Sequence, residues 1–136
     1  VAYFLAKSEP SVYSIDQLRQ DRKTTWDGVT NPQAVKTIAS MKRGDRVFFY
    51  HSGGVSAVVG LMEVLGEGRP DPKNPKSAVV DVGYLAHLDP PVGLKEIKES
   101  GLFADWALVR QSRLSTMPAP ENFVRWMRRK FPQAGI

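Results

Sequence analysis

Three short segments carry residue types that a structural core does not require. Lys7-Ser8-Glu9-Pro10 sets an ammonium, a hydroxyl and a carboxylate at the exit of a strand-like run. Trp26-Asp27-Gly28-Val29-Thr30-Asn31 places an indole directly before a turn signal. Phe48-Phe49-Tyr50-His51-Ser52 ends an apolar stretch on a phenol, an imidazole and a hydroxyl. Aromatic faces of this kind stack on flat rings, while Ser and carboxylate oxygens satisfy a ring's polar edge. Each residue also has a plainer role. Trp26 fits a core indole with its N–H satisfied, Tyr50 fits simple core, and Ser8 and Glu9 fit an exposed turn. Asn31 is fully accounted for as a helix cap, and Gly60 inside a strand marks a bulge or a close backbone approach.

Catalytic chemistry finds little support. Gly54-Val55-Ser56-Ala57-Val58 resembles a nucleophile elbow but lacks its final glycine and precedes a strand. Gly66-Glu67-Gly68 begins like a dinucleotide fingerprint, yet Asp71 stands where the third glycine belongs. The only histidines, His51 and His87, lack metal-ligand spacing, and no metal or cofactor is expected. His51 either orients a ligand through a neutral ring nitrogen or is a hydrogen-bonded rim residue. Ser52 adjoins it, but neighbours on a strand face opposite ways, which disfavours a Ser–His catalytic pair. The absence of cysteine removes disulfides, thiolate metal sites and cysteine nucleophiles, and fits a reducing, cytoplasmic location.

The elements that must position these groups follow from local signals. The 136 residues fit one domain, with no linker, repeat or membrane-length apolar run. A strand is expected over 2–6, a helix over 15–19 behind the cap Ser14, and a short strand over 23–26. Asn31-Pro32 starts a helix, Arg46–His51 reads as a strand buried on both sides, and 55–65 as the longest strand. A Pro-rich loop over 66–77, a strand over 78–86, a short helix from Leu94 and strands at 107–110 and 113–115 follow, before a last helix over 121–131. This order predicts an α+β domain without a doubly wound parallel sheet.

The net charge of +5 leaves an anionic partner open, and its distribution is more specific. Lys7 and Arg113 are expected phosphate contacts. Arg125, Arg128 and Arg129 share one face of the last helix, as a solvated face or a backbone-binding stripe.

Together with Gly60-Leu61-Met62-Glu63-Val64, Val80-Asp81-Val82 and Arg113-Leu114-Ser115-Thr116-Met117-Pro118, the three opening segments resemble the EVE domain family, in order from Tyr3 to Pro118. The resemblance implies a PUA-like fold, a compact bent β-barrel of antiparallel or mixed strands with flanking helices. It implies a monomeric module that reads a modified base of nucleic acid, modified cytosine in DNA ahead of RNA. Trp26 would stack on the base, with Tyr50 as second choice. Ser8, Glu9, Asn31, His51, Ser52, Gly60 and Ser115 would line the site. The chain departs from the family pattern at Thr30-Asn31-Pro32, where many members carry Arg-Asn-Tyr, so one guanidinium fork is missing. Modified RNA, a small-molecule sensor and a nucleotide hydrolase with Glu9 or Asp27 as base are the alternatives.

Overall fold

The computed structural model describes all 136 residues. The chain runs β1 (Tyr3–Ser8), α1 (Ile15–Asp21), β2 (Lys23–Trp26), α2 (Pro32–Ala39), β3 (Arg46–His51), β4 (Ala57–Val64), β5 (Arg69–Asp71), β6 (Asn74–Gly93), α3 (Leu94–Glu99), α4 (Ala107–Arg110), β7 (Thr116–Pro118) and α5 (Glu121–Lys130). Seven strands form one mixed sheet in the order β2-β6-β4-β3-β1-β7, with β5 added on β6. Only the β1–β3 pair is parallel. Register shifts in β3–β4 and β4–β6 bend the sheet. The expected barrel is an open one, because the short end strands β2 and β7 do not pair with each other.

Local chemistry explains the helix starts. Asn31 Oδ1 accepts from the N–H groups of Gln33 and Ala34, and Pro32 occupies the first helical position, where it loses nothing. Ser14 Oγ accepts from Gln17 N–H at 3.0 Å. The Gln17 side chain does not return the bond; it donates to Asp21, so only half of a capping box forms.

Three expectations are corrected. The segment 66–77 is not a loop: β5 pairs with the start of β6, and three-residue β5 tolerates Pro70 because it has one free edge. The strand expected over 78–86 runs from Asn74 to Gly93, since it pairs with β5 at its start and with β4 as far as Ala57↔Gly93. Residues 107–110 form a single helical turn, and the last strand is Thr116–Pro118, created by its pairing with β1 rather than by its own pattern.

One apolar core runs through the sheet and under the helices. Phe123 of α5 meets Phe48, Phe103 and Trp106 at ring-centroid distances of 5.2, 5.3 and 4.4 Å, which fixes α5 against β3 and the 103–106 segment. Gly60 fulfils both sequence expectations. It lies at a register shift, and a Cβ there would sit 2.7 Å from Ile15 Cγ1, so α1 packs directly on the bare β4 backbone. No helix is long and apolar enough to cross a membrane.

Candidate ligand-binding cleft

A cleft of about 570 Å³ opens where the end of β1, the approach to α1, β2, the 27–31 loop and the segment before β7 converge. Each wall has a local cause. The Lys7 backbone N–H donates to Ser115 O at 2.8 Å, and its ammonium donates to Ser112 O at 3.0 Å. These bonds bring Arg113 and Ser115 to the cleft. The 27–31 loop turns at Gly28, whose φ of +76° suits glycine. It is then pinned by the buried Val29 side chain, whose carbonyl accepts from Ser77 Oγ, and by the Asn31 cap. On the opposite wall, Ser8 Oγ donates to Tyr13 O at 2.7 Å, and Tyr13 OH donates to Asp21 Oδ2 at 2.9 Å.

The structure brings six of the sequence-derived residues to this cleft: Lys7, Ser8, Trp26, Asn31, Arg113 and Ser115. Trp26 forms its floor. It is 8% exposed and meets Phe49 edge-to-face at 5.3 Å. Lys7 lies 5.5 Å over the Tyr50 ring, and burial lowers the pKa of its ammonium.

Other expected residues lie outside the lining. Tyr50 is core beneath Lys7, and burial raises the pKa of its phenol. His51 Nε2 accepts from Ile15 N–H at 3.1 Å, so its neutral ring nitrogen is used on the start of α1. Burial, followed by the opposing pull of Asp16, leaves its pKa below the usual histidine value. Ser52 N–H donates to Ser8 O, which ties the β3 exit to the β1 exit. Glu9 is exposed, and its carbonyl takes the N–H groups of Val12 and Tyr13. Gly60 lies under Ile15.

The α5 arginines also lie apart. Arg125 pairs with Glu121 at 2.9 Å, and Arg128 donates to Ile136 O and to Tyr3 OH. Tyr3 begins the strand whose far end, Ser8, lines the cleft. At about 3.3 Å per residue those ends are roughly 17 Å apart.

Sequence patterns missed Tyr13 and Thr24 on the walls, and they favoured Glu9 as the carboxylate where the cleft has Asp27. The Ser14 cap held a usable signal for Tyr13. The residue before a cap directs the chain into its helix and packs beside it. No three His, Cys, Asp or Glu side chains gather to hold a metal ion.

An open, bent mixed sheet, helices packed around it and a cleft at the exit of its one parallel pair define an α+β protein of the PUA-like type. Residues 2–130 match the model of the EVE domain, and the chain belongs to that family. It is similar to thymocyte nuclear protein 1 of rat, at 32% identity over 88% of this chain and 69% of that protein, and of human, at 30% over 96% and 76%. Among solved structures it resembles a Rhodopseudomonas palustris protein, at 38% identity and a TM-score of 0.88 over 96% and 92% of the two chains. It also resembles human THYN1 in complex with DNA containing 5-methylcytosine, at 27% identity and a TM-score of 0.85 over 96% and 98%.

Proposed function

We propose that the chain is a nucleic-acid-binding module whose cleft holds one base swung out of its strand, with modified cytosine in DNA as the preferred target. The observation that carries this reading is the convergence of an aromatic wall, an indole floor and two cations, Lys7 and Arg113, in one cleft. Its volume falls within the roughly 300–1,000 Å³ of small-ligand sites. The human relative's complex with 5-methylcytosine DNA supports a base of this class. Tyr13 offers a partly exposed ring for stacking, and Asp27 can accept from an exocyclic amine. Val12, 77% exposed on the rim, gains from being covered.

The test compares oligonucleotides that differ by a single 5-methyl group on one cytosine, in DNA and in RNA. Tyr13→Ala should remove about 1–3 kcal/mol of base-specific affinity, roughly a five- to hundred-fold loss. Thermal melts beside the binding curves separate this loss from destabilisation, because Tyr13 also packs against the core and bonds Asp21. Equal affinity for all oligonucleotides would refute base reading. A preference confined to RNA would move the target to modified RNA. Chemical change of the bound base would make the protein an enzyme.

A further inference from the structure

The chain has three tryptophans, and two of them are nearly buried. Trp106 follows the usual rule for such indoles: its Nε1–H donates to Pro118 O at 2.9 Å. Trp26, equally buried at 8% exposure, has no protein acceptor for its N–H. Nor is that nitrogen sealed away, because no fully buried side-chain nitrogen or oxygen in the chain lacks a partner. The cleft is the opening that Trp26 lines. The rest of the ring is occupied by packing, including the edge-to-face contact with Phe49. An exposure of 8%, out of the roughly 250 Å² a tryptophan can bury, leaves about 20 Å² open, far less than one ring face.

From this geometry we propose that Trp26 determines specificity through its N–H, as a fixed hydrogen-bond donor at the cleft floor, and not as a stacking platform. The bound ring must then present an acceptor to it, a ring carbonyl or an unprotonated ring nitrogen. Cytosine carries both on one edge, beside the amine that Asp27 can accept. A ring of the same shape without an acceptor leaves the indole N–H desolvated and unpaired, and is rejected for that reason. The proposal rests on the base-binding function above, and sharpens it by assigning the donor.

Replacing Trp26 by 3-benzothienylalanine during translation tests this, since sulfur replaces the N–H in a ring of nearly the same shape. The probes are a short DNA strand carrying one 5-methylcytosine and a matched strand carrying the difluorotoluene nucleoside there, which keeps the pyrimidine outline with very weak acceptors. The parent protein should bind the first roughly tenfold more tightly than the second. The substituted protein should lose the share of that difference that the acceptors supply, keeping the share due to the amine facing Asp27, while melting at the same temperature. NMR of the unsubstituted protein gives a second readout. The Trp26 indole proton should exchange with solvent faster than that of Trp106 in the free protein, and become protected with a downfield shift on adding the methylcytosine strand. If cleft resonances move and the Trp26 indole resonance does not, or the substituted protein discriminates as well as the parent, the donor assignment is wrong and base reading stands. If neither strand perturbs the cleft, base reading and the donor assignment fall together.

Discussion

At the scale of single residues, two glycines separate packing from backbone geometry. A Cβ at Gly60 would lie 2.7 Å from Ile15 Cγ1 and 3.0 Å from the Ala86 carbonyl, which cannot move without the sheet. Gly60→Ala should therefore cost about 1–3 kcal/mol in urea denaturation through overpacking. It should also weaken ligand binding, because Ile15 begins the helix behind the Tyr13 wall. Gly28 lies in open space but holds a φ of +76°. Gly28→Ala should cost about 1–2 kcal/mol through backbone strain alone. Restoring φ tolerance with Gly28→Asn should recover part of that loss, whereas Gly60→Asn should be worse than Gly60→Ala. Equal costs for Asn and Ala at both sites would contradict the distinction.

At the scale of elements, α1 is fastened at its first turn by two histidines from different strands. His51 accepts from Ile15 N–H, and His87 Nε2 lies 2.7 Å from Asp16 Oδ1 while its Nδ1 meets Tyr84 OH. The acceptor role of His51 requires its neutral form, and burial lowers its folded-state pKa. The unfolded chain then binds more protons than the folded one between that pKa and about 6.5, so stability rises with pH there. Stability from this group is complete above about pH 6.5 and is lost as pH falls through the folded value. Asp16, held below the usual carboxylate value first by its His87 hydrogen bond and also by Arg19, acts in a lower window, below about pH 4. Melting temperatures across mildly acidic pH should fall in the parent and flatten in His51→Gln, whose amide oxygen can accept without titrating. An unchanged profile would remove the fastening role. The starts of α1 and α2 were legible in the sequence because Ser14, Asn31 and Pro32 act on their own next turn. The β5 pairing, the length of β6 and the strand at 116–118 were not, because partners far along the chain create them. The same holds for the cleft. Trp26 and the 27–31 turn stood out locally, but Tyr13 reaches the site only through Ser8 and Asp21, and His51 is diverted from it by Ile15.

At the scale of the whole molecule, the cations of the cleft and of α5 lie toward opposite ends of β1. Lys7 and Arg113 border the cleft, while Arg128 reaches back to Tyr3 at the other end of β1. Removing one phosphate contact should lower the log–log salt dependence of DNA binding by about 0.7–0.9. Arg113→Gln should do so. Joint replacement of Arg125, Arg128 and Arg129 by Gln should leave the slope near the parent value, and a larger fall in that triple variant would move the backbone path to α5. The placement of β1 has a different consequence, in time instead of space. Leu5 is paired on one side with Phe48 and on the other with Met117. A ribosome therefore releases the first strand long before its last neighbour exists. Phe4, Leu5 and Ala6 must wait with an open edge until Thr116, Met117 and Pro118 have emerged. Such distant pairings fold on the order of milliseconds to seconds, not microseconds. The cleft, which needs Lys7 bonded to Ser112 and Ser115, should become competent only after that distant segment has been made.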